Sequence, residues 1–255
     1  YAKSDVNVIA LIGERGREVR DFIEGDLGPA GLARSVVVAV TSDEPALLRI
    51  KGAYAATAVA EWFRDQGADV MLMMDSITRF ARALREVGLA VGEPPARQGY
   101  TPSVFSTLPK LLERSGNSDK GSITAFYTVL VAGDDMNEPV ADETRSILDG
   151  HIILSRALAA RNQYPAIDVS ESISRVMDSI IDEDHKDAAR KLREVVANYE
   201  KERDLILIGA YEEESDPKVD YAIEKIEEVN NSLRQDVDDR VALEEAVEML
   251  KQIFE

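Results

Sequence analysis

A chain of 255 residues with 45% hydrophobic side chains is long enough for one α/β domain with a sizeable core and a smaller appendage. It holds no cysteine, which excludes disulfides, thiolate metal sites and cysteine nucleophiles, and no apolar run near the roughly 18 residues that span a bilayer. A net charge of −18 argues against nucleic acid, whose phosphates are bound mostly by Lys and Arg, and in favour of basic or apolar protein partners.

The opening YAKSDVNVIALIGER lacks the charged, apolar and small-residue zones of a signal peptide, so an intracellular, soluble protein is expected. The first two-thirds of the chain alternates short, nearly continuous apolar runs with helical patterns, as a parallel sheet covered on both faces does. Candidate strands are Val6 to Ile12, Ser35 to Thr41, Asp69 to Met74, Ser122 to Val131 and His151 to Leu154. Ser42-Asp43-Glu44-Pro45 reads as a cap with Pro in the first turn of a crossover helix running to about Gln66 and stopping at Gly67. The stretch from Gly88 to Pro102, rich in Pro and Gly, reads as a functional surface loop rather than a regular element. After about Ser174 only helical patterns remain, broken at Gly209 and at Ser215-Asp216-Pro217. Two domains are expected, 1–173 and 174–255. Leu243, Val247, Leu250 and Phe254 form an amphipathic stripe in the last segment. From Glu171 onward 25 acidic and 12 basic side chains give −13, leaving −5 for the first 170 residues. A solvated set of helix faces is the plain reading of that imbalance.

Three places carry chemistry. Gly13-Glu14-Arg15-Gly16-Arg17-Glu18 follows an apolar strand directly, so Glu14 falls at the carboxyl edge of the sheet, where such folds place ligands. A carboxylate there can polarise a water for in-line attack on a γ-phosphate, and a surface acidic loop is the competing reading. Val70-Met-Leu-Met-Met-Asp75 ends an apolar strand abruptly in Asp, the way a Walker B carboxylate is presented to Mg²⁺. Glu14 and Asp75 would end strands on the same edge and could share one metal-triphosphate, which favours the catalytic reading of both. Arg79, one turn into the next helix, suits either a phosphate contact or a pair with Asp75 or a neighbour. Tyr164, held extended before Pro165, suits stacking on an adenine or closing a core. Arg175, in a Ser-Arg-Val turn, is either an arginine finger or an ordinary surface residue. His151 opens an apolar strand and His185 sits in a charged helix; structural or solvated roles suffice for both.

The blocks LIGERGREV, TSDEPALLR, MLMMDSITRFARALREVGLAVGEPP, GYTPSVFSTLPKLLERSGN, KGSITAFYTVLVAGDDMNEPVADETRSILDGHIILSRALA and YPAIDVSESISRVM, in this order, closely resemble the type III protein-export ATPases. The likeness runs from about Asp5 to at least Pro217. The resemblance implies a RecA-like, mostly parallel sheet with flanking helices, followed by a small all-α carboxyl-terminal domain. It implies ATP and Mg²⁺ as cofactors, with Glu14 the catalytic glutamate, Arg15 the arginine beside it and Asp75 the Walker B aspartate. Arg79 matches the arginine of the following helix, Tyr164 the adenine-packing residue and Arg175 the arginine that crosses the subunit boundary. Further implications are a homohexamer around a coiled-coil stalk protein, with export chaperones, cargo and a negative-regulator protein as partners. The 88–102 loop then becomes a candidate lining of the ring's pore. The expected place is the cytoplasm, peripheral at the inner membrane against the export gate. Gln163 stands where the family commonly shows His. Family members carry an amino-terminal barrel and a GxxxxGK[ST] loop ahead of the GERGREV strand, and no Gly-Lys dipeptide occurs in these 255 residues. The expectation is that the chain begins after both and is inactive alone.

Overall fold

The computed structural model describes residues 3–255, in two compact units, the first ending at Leu148 and the second starting at Asp149. In the first unit β1 (Val6–Ile12) leads through α1 (Gly16–Asp21), a π-helical turn and α2 (Gly28–Leu32) to β2 (Ser35–Val40). Then follow α3 (Ala46–Asp65), β3 (Asp69–Asp75), α4 (Ile77–Ala90), α5 (Pro102–Leu112), β4 (Gly116–Asn117), β5 (Ser122–Tyr127) and α6 (Pro139–Ile147). The sheet order is β2-β1-β3-β5-β4, parallel except for the short β4.

Alternation along the strands builds two cores. Val8, Ala10 and Ile12 of β1 with Val70, Leu72 and Met74 of β3 face Phe80, Val104, Leu108 and the alanines of α3. Ile9 and Leu11 point the other way, to Val19, Phe22, Ile23 and Leu27. Small residues on α3 let it lie close to the sheet; a Cβ on Gly52 would stand 2.5 Å from Val40 Cγ2. Strand β1 is buried on both faces and β3 is buried on one and half-buried on the other, which is why both read as continuous apolar runs.

Element boundaries differ from the sequence reading for local reasons. Helix α3 starts after Pro45, whose extended backbone delays it past the Ser42 cap signal, and the chain turns at Gly67 with φ +94°. Strand β5 ends at Tyr127, not Val131: Thr128 N–H still donates to Met74 O of β3, but its carbonyl turns away to accept from Ile77 N of α4. Helix α4 continues to Ala90 inside the supposed loop, and Gly88 is what permits it, since a Cβ there would meet Thr101 Oγ1 at 2.5 Å. The remaining stretch is pinned rather than loose, with Tyr100 and Thr101 buried and Glu93 accepting from Ser103 Oγ at 2.5 Å.

The second unit opens with β6 (Gly150–Leu154), α7 (Arg156–Ala160) and β7 (Ile167–Ser174). Strands β6 and β7 pair antiparallel in their own two-stranded sheet, so β6 does not join the parallel one as its apolar run suggests. Helices α8 (Met177–Ile180), α9 (Glu183–Leu207), α10 (Pro217–Ser232) and α11 (Leu243–Gln252) complete it, capped at α9 by Asp182 and at α10 by Asp216. Their core joins Leu192, Val195, Ala222, Val229 and Ile253 with Leu250 and Phe254. The carboxyl-terminal stripe is thus spent on its own fold at Leu250 and Phe254, while Leu243 stays 73% exposed. His151 Nε2 lies 3.1 Å from Glu171 O, and the backbone N–H of His185 donates to the Asp182 cap. Among the described residues no helix is long and apolar enough to cross a membrane.

Candidate functional site

Register fixes the site. Strands β1 and β3 are neighbours with Leu11 opposite Asp75, so Asp75 and the Gly13–Glu14 turn leave the same edge of the sheet. That turn is held from outside: Gly13 N donates to Val40 O at 2.7 Å and Ser42 N donates to Glu14 O at 3.0 Å. Helix α4 begins directly after Asp75, capped by the buried Ser76, whose Oγ accepts from Arg79 N. The Asp75–Ser76 peptide is cis.

From the first turn of α4, Arg79 Nε donates to Glu14 Oε1 at 2.8 Å, with the two side chains 29% and 15% exposed. Arg79 thus pairs with a neighbour, and that neighbour is Glu14. Gly13 makes room for it: φ is +77°, and a Cβ there would lie 2.8 Å from Arg79 Cδ. Burial pushes the Glu14 carboxyl above the usual range; Arg79 opposes this, and the nearby Asp75 and Glu18 carboxylates reinforce it. Burial likewise raises Asp75, again against Arg79 and with Glu18. An ion pair this short would ordinarily lower Glu14, so here desolvation outweighs it.

Two poised carboxyls under the charge of one arginine, which bonds Glu14, suit phosphate chemistry: a base for water and an oxygen ligand for a hard cation. No group of three or more His, Cys, Asp or Glu able to hold a metal occurs among the described residues. Asp75 offers a single carboxylate of the kind Mg²⁺ takes, the rest of whose shell is completed by water and phosphate oxygens.

The other expected residues lie elsewhere. Arg15 points outward, paired with Glu18 at 3.1 Å and 77% exposed. Tyr164 and Arg175 belong to the second unit. Tyr164 precedes a cis Pro165, is 52% exposed, and lines a hollow of about 350 Å³ with Arg161, Asn162, Arg234, Gln235 and Asp236. An exposed ring beside a hollow is not closing a core. Arg175 is exposed in the bend after β7, its N–H donating to Asp149 O at 2.7 Å. Sequence reasoning missed Gly13, Ser76 and Thr78. Thr78 is buried and ties α4 to the segment after β5, accepting from Leu130 N at 2.8 Å. The Ser-x-x-Arg start of α4 was the available signal for Ser76.

Comparison with known proteins places this geometry in a family. The profile described as the ATP synthase alpha/beta family, nucleotide-binding domain, matches residues 1–174, and that of the T3SS EscN ATPase C-terminal domain matches 181–252. The flagellum-specific ATP synthase of Bacillus subtilis is 59% identical over 97% of this chain and 57% of its own length. The type 3 secretion system ATPase of Xanthomonas euvesicatoria is 57% identical over 98% of this chain and 56% of its own. The assembled ATPase EscN of enteropathogenic E. coli superposes with a TM-score of 0.95 at 51% identity, over 99% of this chain and 61% of that one. The chain therefore spans somewhat more than half the length of the curated relatives it matches. The chain belongs to the ATP synthase alpha/beta family, among the type III protein-export ATPases.

Proposed function

We propose that these residues form the water-activating and metal-side part of an ATPase that hydrolyses Mg-ATP to energise type III protein export, flagellar or injectisome. The observation that carries the proposal is the convergence of Glu14, Asp75 and Arg79 on one sheet edge. Family membership supports it. Glu14 accepts the proton of the attacking water, and its raised pKa brings it nearer the operating pH of a general base. Arg79 orients that carboxylate. Asp75 holds the nucleotide's Mg²⁺, which supplies charge neutralisation on the phosphates.

Arg15, beside Glu14, belongs to the phosphate-facing rim in this reading. Tyr164 packs on the adenine, and Arg175 reaches the phosphates of a neighbouring copy in a homohexamer, adding charge stabilisation in trans. The functional boundary falls near 173/174, with residues 174–255 as the helical, partner-binding domain. The stalk protein, export chaperones, cargo and a negative regulator are its proposed partners, at the cytoplasmic face of the inner membrane beside the export gate.

A second statement belongs to the chain as it stands. No Gly-Lys dipeptide occurs in it, so it has no loop of the GxxxxGK[ST] kind to cradle the β- and γ-phosphates. We propose that the isolated 255 residues turn over no ATP. The test joins them to the amino-terminal segment of the Bacillus subtilis relative and measures phosphate release from both forms. Turnover by the joined protein alone is expected. Hydrolysis by the isolated chain would refute the inactivity, and none from a folded, nucleotide-binding joined protein would refute the ATPase reading.

A further inference from the structure

Buried threonines in helices commonly spend their hydroxyls on their own backbone. Thr57 Oγ1 donates to Ala53 O at 2.9 Å and Thr144 Oγ1 to Val140 O at 2.7 Å, each four residues back. Thr78, 1% exposed, does otherwise. It is the second residue of α4, and the carbonyl four residues back, Met74 O on β3, is already taken by Thr128 N at 3.0 Å. Its hydroxyl instead accepts from Leu130 N at 2.8 Å and donates to Leu130 O at 3.3 Å. One side chain thus takes up both backbone groups of a residue 52 positions away.

This clip sits immediately before Arg79. Upstream of it, Ile77 N donates to Thr128 O at 2.9 Å, so Asp75 and Ser76 lie between residues anchored to Thr128 and the clip to Leu130 comes next along the chain. The side-chain cap of the same turn is long: Arg79 N reaches Ser76 Oγ at 3.4 Å, near the limit of a hydrogen bond, against 2.8 Å for Leu130 N to Thr78. Arg79 then carries the position onward, its Nε donating to Glu14 Oε1 at 2.8 Å. A bond of that kind fades within about 0.5 Å of lengthening, so a small rotation of the first turn of α4 loosens the grip on Glu14.

We infer that Thr78 is a positioning residue of the ATP-hydrolysing site: through its hydroxyl, residues 128–130 fix the first turn of α4 and with it the hold of Arg79 on Glu14. Its one proton is committed to Leu130 O, so it acts through Arg79 and not on a substrate. Serine at this position keeps the hydroxyl. Valine keeps the shape but leaves Leu130 N–H and C=O without their partner, which frees the segment and the turn to move apart. The catalytic meaning of the inference rests on the proposed function, whereas the placement of Arg79 by Thr78 needs no nucleotide and is tested by itself.

In the 255-residue chain, NMR follows exchange of the Arg79 Nε–H with solvent, its resonance assigned by loss in Arg79→Lys. Thr78→Val should speed that exchange roughly tenfold, and Thr78→Ser should restore the parental rate. Thr57→Val, which removes a buried hydroxyl of the same kind from α3, should leave it unchanged. In the protein joined to the amino-terminal segment, Thr78→Val should lower kcat about tenfold or more with KM for Mg-ATP held, again restored by serine. Should Thr78→Val fail to fold, Thr78→Ala, which lacks the methyl that valine sets against Leu130, takes its place with the same expected outcomes. Parental exchange without the hydroxyl, an equal rise in Thr57→Val, no rescue by serine, or a change in KM alone overturns the inference. A joined parent without turnover would instead refute the ATPase reading, and the exchange rates would still decide whether Thr78 places Arg79.

Discussion

Gly13→Ala tests how the site is held. Gly13 adopts φ +77°, in the left-handed region, and a methyl there would stand 2.8 Å from Arg79 Cδ and 3.1 Å from Arg79 Cβ. The backbone part costs about 1–2 kcal/mol for an L-residue. The contact part forces Arg79 aside and breaks its bond to Glu14, a charge-assisted interaction of about 1.5–3 kcal/mol taken at its lower end for partial exposure. Together Gly13→Ala should destabilise the unit by about 3 kcal/mol in urea unfolding. The same substitution in an Arg79→Ala background should cost only the backbone part, about 1–2 kcal/mol, because nothing remains to displace. In Gly13→Ala the Glu14 carboxyl should titrate still higher than in the parent, having lost the two influences of Arg79 that lower it. A negligible cost, or strictly additive costs in the double substitution, would refute the claim that Gly13 exists to seat Arg79.

Asp75 carries a pH prediction. Burial raises its folded pKa above the unfolded value, so the folded state binds the proton more tightly and charged Asp75 costs stability above that pKa. Asp75→Asn should therefore be more stable than the parent at neutral pH in denaturant titrations, and the advantage should shrink as pH falls through the raised carboxyl range. In the joined protein Arg175→Ala should lower phosphate release by about 10³-fold or more while nucleotide binding survives, as measured by turnover and fluorescent-nucleotide titration.

The parts of the fold that sequence reveals are those governed by local pattern. Strand β1 is buried on both faces and β3 is covered on both, fully on one, so VNVIALI and DVMLMMD announce themselves, and the positions of Glu14 and Asp75 follow from the strand ends. Pairing partners do not follow. β6 carries an apolar run like the others but finds β7 rather than the parallel sheet, because strand choice is a long-range matter. β7, IDVSESIS, alternates weakly and is half polar, with no buried residue, so it reads as loop until its partner is known. The Glu14–Arg79 pair joins residues 65 apart, and only the adjacency of β1 and β3 makes it visible. Gly88 misleads in the other direction: read as a loop residue, it is helical and there to let Thr101 and Glu93 approach.

The central claim is that Glu14 activates the attacking water. In the protein joined to the phosphate-loop segment, Glu14→Gln keeps the shape and one acceptor oxygen while removing the base. Single-turnover measurement with Mg-ATP should show nucleotide bound as in the parent and phosphate release reduced by about 10²-fold or more, with the acidic limb of the pH–rate profile gone. Release at the parental rate, with that limb intact, would contradict the account.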